Sequence, residues 1–158
     1  MDPKELLKML DLNAGPNATA AAAALDANSA ALGDVVSSGF DPDVGEDFLR
    51  LWRGHITDYV DYANAGVAGD AAGADAAKSR LDTFRSDMGD LFEQASDKTV
   101  SADEISEGLD THVTGTLDVI DATVAGSPDA VTLLREAASH VPDAAAVWAR
   151  AMTGGDEG

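Results

Sequence analysis

The sequence has no cysteine, few aromatic residues and few positive charges. Without cysteine there is neither a disulfide scaffold nor a thiolate zinc or redox site, and the redox compartment is left open. Only 10 Lys and Arg stand against 29 Asp and Glu, a net charge of −19. Such a surface repels phosphate backbones and anionic membranes, so nucleic acid is not an expected partner. It suits solubility at high salt, a basic protein partner or loose cation binding. Long hydrophobic runs are also missing, and none approaches the ~18 residues that would cross a bilayer. The tract "ATAAAAAL" is too short and follows no basic stretch, so it is not read as a signal peptide. The expectation is no membrane span, in a chain that either stays inside the cell or is a mature or trimmed form. Catalytic motifs are absent too: no nucleophile elbow, no "GxxxxGK" phosphate loop and no "HExxH". The many carboxylates at helix spacing are read as solvated faces rather than acid–base pairs, and the chain is read as not an enzyme.

The chain does have clear helical punctuation. Its 158 residues are enough for one domain with a core. Asp2-Pro3 with Glu5 predicts a short helix over 3–11, ended by "NAGPN". A helix over about 17–37 stops at Gly39. Asp41-Pro42 opens another, about 42–67, with Phe48, Leu51, Trp52, Ile56, Tyr59, Val60 and Ala63 at three- and four-residue steps. The next, about 71–96, carries Leu81, Phe84, Met88, Leu91, Phe92 and Ala95 on one stripe. Ser101 with Glu104 forms a capping box, with a staple of Val100 on Ile105, for a helix running to about Ala125. Ser127-Pro128 opens the last, which must kink or break before Pro142 because proline cannot donate the helical hydrogen bond. No stretch alternates with period two, so the fold is read as all-α.

A shift of 57 residues lays His55 on His112, Thr57 on Thr114, Asp61 on Asp118, and the "VAG" of 67–69 on that of 124–126. A shift of 56 lays "LD" at 25 and 26 on 81 and 82, and "GD" at 33 and 34 on 89 and 90. The unit is then a two-helix hairpin of about 57 residues, used about two and a half times. A lone hairpin cannot bury its stripe, so the units are expected to stack as an antiparallel helical bundle. The organisation expected is a short helix and linker over 1–16, the bundle over 17–153, and an acidic disordered tail over 154–158.

"AAAAALDANSAAL", "FLRLWRGHITDYVDYANAGVAGD", "LDTHVTGTLDVIDATVAG" and "LREAASHVPDAAAVWA" together resemble a family of helical-repeat proteins from high-GC Gram-positive bacteria. Most of these are exported and uncharacterised, and some are labelled copper amine oxidase-like. The resemblance covers about 17–152 and implies helical hairpins. The oxidase chemistry in that label needs a tyrosine-derived quinone and a large β-rich domain, which an all-α chain of this size does not supply. This chain departs from the family pattern in lacking a leading Glu-His helix and an export signal, and in being more acidic.

Three histidines lie beside the apolar stripes. In a metal reading His55, His112 and His140 converge from three helices to hold copper, zinc or iron, with Glu136 (four from His140) and Asp58 (three from His55) as further ligands. In the packing reading each imidazole gives a hydrogen bond across a helix interface. His112 has no carboxylate at the corresponding offsets, and no Glu-x-x-His occurs. Trp52, Tyr59, Tyr62 and Trp148 are expected to fill core and interface. The leading expectation is a non-enzymatic interaction or structural module, with a protein partner or self-association through an apolar patch on the 17–37 helix. The alternative is a histidine-based transition-metal bundle.

Overall fold

The computed structural model describes residues 16–154. The short helix expected over 3–11 and most of the acidic tail lie outside them. Six helices follow one another: α1 (Pro16–Gly39), α2 (Pro42–Ala68), α3 (Ala71–Ala95), α4 (Ala102–Val124), α5 (Ala130–Ser139) and α6 (Val141–Thr153). There is no strand among the described residues, and the chain is an all-α bundle.

The boundaries follow local chemistry. Asp41 caps α2 by accepting from the Val44 amide at 3.0 Å, with Pro42 in the first turn. Asp70 caps α3 in the same way through Gly73. Ser101 caps α4 through Glu104 N at 3.1 Å, and Val100 and Ile105 are both buried as a staple requires. The capping box is only half as expected. Glu104 turns to pair with Arg150 of α6, while Glu93 of α3 accepts from the Ala102 amide at 2.6 Å. A tertiary neighbour thus satisfies the first amide of the helix, one residue after the amide a local carboxylate would have taken.

At their C-termini α2 and α4 close with the same motif. Asp70 N reaches Ala65 O and Ser127 N reaches Ala122 O, around left-handed Gly69 (φ 70°) and Gly126 (φ 65°). The end of α3 makes the equivalent bond, Lys98 N to Glu93 O, but with Asp97 and Lys98 in the left-handed region. The break before Pro142 is complete: α5 ends at Ser139, His140 is the joint, and α6 starts afresh.

Neighbouring helices pack antiparallel, α1 on α2, α2 on α3, α3 on α4 and α4 on α5. Ion pairs mark the register: Arg53 to Asp26 across α1–α2 at 2.8 Å, Arg80 to Asp58 and Asp61 across α2–α3 at 2.5 and 2.6 Å, and Arg85 to Asp110 across α3–α4. Two reversals bring α4 back parallel to α2 and against it. Tyr62 there donates to Asp121 at 2.8 Å. α6 returns over α1, α3 and α4.

The densest packing lies at the end where α6 crosses. Val36, Phe48, Phe84, Met88, Phe92, Val100, Ile105, Leu109 and Ala151 form one buried cluster, joined by Trp52 and Trp148. Burial of this apolar area is the main stabilising term. Two glycines permit the close helix approach. A Cβ on Gly89 would stand 2.5 Å from the Ala102 carbonyl of α4, and one on Gly45 would stand 2.8 Å from the Gly33 carbonyl of α1. α1 buries Ala22, Ser29, Gly33 and Val36 against the bundle and leaves Leu25 and Val35 exposed on its outer side. It packs on α2 as its mate.

Candidate functional site

The parallel arrangement of α2 and α4 decides which side chains meet. Residues 57 to 59 apart lie at one height, as His55 and His112 do by their rings and Tyr62 and Asp121 by a hydrogen bond. His55 and His112, one turn after Trp52 and Leu109 on the inward stripes, therefore face each other with ring centres 6.0 Å apart.

The surroundings of this pair are aromatic. His55 stacks on Phe84 of α3 at 4.5 Å, with planes 10° apart, and touches Trp52 at 4.4 Å and Tyr59 at 5.3 Å. His112 lies 6.3 Å from both Trp52 and Tyr59. Trp52 continues the cluster to Trp148 of α6, which in turn packs on Phe48 and Phe92. Phe84 appears in the sequence only as one of a stripe. Nothing in the local pattern marks it as the ring under His55, because that contact is between helices.

Burial sets the electrostatics. His55 is 3% exposed, and desolvation pushes its imidazole down to about 3, against the raising effect of its hydrogen bond to the Trp52 carbonyl. His112 is also lowered by burial. Both rings are neutral at neutral pH. The hydrogen bond of His55 does not cross the interface, as the packing reading expected. Nδ1–H donates to the Trp52 carbonyl of its own helix, which leaves Nε2 as the lone-pair nitrogen. The His112 ring has no hydrogen-bond partner among the described residues. Two further polar atoms of the cluster, Trp52 Nε1 and the Tyr59 hydroxyl, are buried without a hydrogen bond of full geometry. The Thr116 side chain is within hydrogen-bonding reach of the Tyr59 hydroxyl and itself donates to the His112 carbonyl at 2.8 Å. Burial raises the Tyr59 phenol.

The rest of the expected ligand set is elsewhere. His140 is exposed at the α5–α6 joint. With Glu136 it lines a groove of about 330 Å³ between α4 and α5, beside Asp110, Thr114 and Asp118. Asp58 is held by Arg80. No group of three or more His, Asp or Glu among the described residues is placed to share a metal ion. The three-histidine convergence is therefore not formed: two meet and the third is on the surface. Of the four aromatics, Trp52, Tyr59 and Trp148 belong to the central cluster. Tyr62 stands apart, bonded to Asp121 with the Lys78 ammonium 5.2 Å over its ring. Desolvation first, and Asp121 second, raise its phenol.

A groove of about 270 Å³ between α2 and α3 reaches His55 from the surface, lined by Arg50, Asp58, Arg80 and Asp87 among others. Among the described residues no helix is long and apolar enough to cross a membrane. Comparisons of the chain with protein-family models, with curated proteins and with solved structures find no match.

Proposed function

We propose that the chain is a non-enzymatic helical interaction module of the helical-repeat family it resembles, one that docks a basic amphipathic helix of a protein partner within a larger assembly. The observation that carries this reading is the outward face of α5. Val131 and Leu134 are 57% and 56% exposed, and with exposed Ala138 they follow helical spacing along α5, while exposed Val141 opens α6 just beyond the joint. The opposite side of the same helix, Ala130, Leu133 and Ala137, is partly covered. α5 thus has apolar residues on two faces, and an exposed apolar stripe is the usual mark of a binding face. The net charge of −19 selects the partner's character, since a second copy would be repelled and a basic segment attracted.

The test is titration of a short Leu/Lys amphipathic helical peptide into the protein and into Leu134→Asp. Affinity is expected to fall at least ~10-fold in the variant, or about 1.4 kcal/mol, with an unchanged circular dichroism spectrum. Equal binding by both proteins, or none, removes the α5 site. A concentration-dependent dimer abolished by Leu134→Asp would replace the basic partner with a second copy.

A further inference from the structure

We propose that His55 and His112 form a two-coordinate site for a soft monovalent cation, Cu(I) or its redox-inert surrogate Ag(I), between α2 and α4. This goes beyond the docking face on α5 and uses different residues.

The geometry separates this from simple packing. A ring nitrogen lies about 1.1 Å from its ring centre, so at a centre separation of 6.0 Å the two nearest nitrogens stand no closer than about 3.8 Å. A direct hydrogen bond between the rings is therefore impossible. Two metal–nitrogen bonds of about 2 Å each match that closest separation, the one reached when both ring nitrogens lie on the line between the centres. The His55 tautomer is already set for ligation: Nδ1–H is taken up by the Trp52 carbonyl, the arrangement by which a backbone acceptor orients a metal-binding imidazole, and Nε2 keeps its lone pair. The His112 ring has no competing partner among the described residues.

The number and charge of the ligands choose the ion. Structural zinc takes four ligands, and among the described residues no third His, Asp or Glu is placed to share an ion with these two. Two neutral ligands in an aromatic surround, formed by Trp52, Tyr59 and Phe84, favour an ion of single charge and low coordination number. Among the described residues Trp52 Nε1 is buried here without a hydrogen-bond partner, and the Tyr59 hydroxyl meets only the Thr116 side chain, so polar atoms of this surround are under-satisfied, as Arg85 Nε is elsewhere in the fold. Access is through the α2–α3 groove that His55 lines, whose wall carries Asp58 and Asp87 together with Arg50 and Arg80.

The experiment is anaerobic titration with Cu(I) against bicinchoninate, with metal-edge X-ray absorption on the loaded protein. One equivalent is expected, with a first shell of two nitrogens. His55→Phe and His112→Gln should each lower affinity at least ~100-fold, while His140→Ala binds as the parent does. Should His55→Phe misfold, ¹⁵N resonances of the parent decide: Ag(I) is expected to shift the His55 and His112 ring nitrogens and leave those of His140 in place. Failure to compete with bicinchoninate, a shell of three or more oxygen or nitrogen atoms, binding retained in folded His112→Gln, or Ag(I) shifts confined to His140 would each overturn the site.

Discussion

His55 shows how one residue's surroundings become a property of the whole protein. In the folded state its imidazole stays neutral down to about pH 3, whereas in the unfolded chain it takes a proton near 6.5. Its contribution is therefore constant above pH 6.5. As pH falls below that value the unfolded state gains a proton that the folded state refuses, and stability drops by about 1.4 kcal/mol per pH unit. His112, also lowered, acts in the same direction. Protonation of the carboxylates relieves repulsion and opposes this, so the parent alone does not isolate the effect. Comparison with His55→Phe does, because phenylalanine keeps the stack on Phe84 and cannot titrate. Between pH 7 and 5 the urea-derived stability of the variant should rise relative to the parent by about 2 kcal/mol. A difference independent of pH would mean that folded His55 titrates normally.

At the scale of the elements, the helices are set by their ends and by the few places where two backbones meet. Gly89 is buried at the α3–α4 crossing, and a methyl group there collides with the backbone of Ala102, which cannot swing away as a side chain would. Gly89→Ala should therefore cost about 1–3 kcal/mol despite the better helix propensity of alanine. Gly54 is also inside a helix, but nothing lies within 4 Å of its missing Cβ. Gly54→Ala should gain about 0.5–1 kcal/mol. Thermal or urea unfolding of the pair checks both signs, and equal effects would show that propensity and not the helix crossing sets the cost. The Ser101 cap and the Asp41-Pro42 start were readable because such bonds span three residues or fewer. The transfer of the Glu104 carboxylate to Arg150 was not, since it depends on α6 arriving 46 residues later.

For the whole molecule the imbalance of charge dominates. The arginines hold neighbouring helices in register, through Arg53, Arg80, Arg85 and Arg150, but each pair is at least partly solvated and is worth less than about 1 kcal/mol. Repulsion among the excess carboxylates acts throughout. Added salt screens both, and the unpaired majority should prevail. The melting temperature should rise by a few degrees between about 0.05 and 0.5 M NaCl, as followed by circular dichroism. A fall would mean that the arginine pairs outweigh the general repulsion.

By itself the sequence determined that the fold is all-α, where α1 to α4 start and stop, that a break precedes Pro142, and which stripes of α2, α3 and α4 turn inward. These depend on caps, proline geometry and the 3.6-residue period, all local. The tertiary structure decided the rest. The correspondence of the 17–37 helix with the 71–96 helix is uneven in burial, since Leu25 is 41% exposed where Leu81 is fully buried, so a matching letter pattern did not fix its facing. His55, His112 and His140 are alike in sequence, each beside an apolar stripe. Only the parallel return of α4 beside α2 brings the first two within 6.0 Å of each other, while the third lies on the surface at the α5–α6 joint, because which side chains meet is set by the packing of helices far apart in the chain.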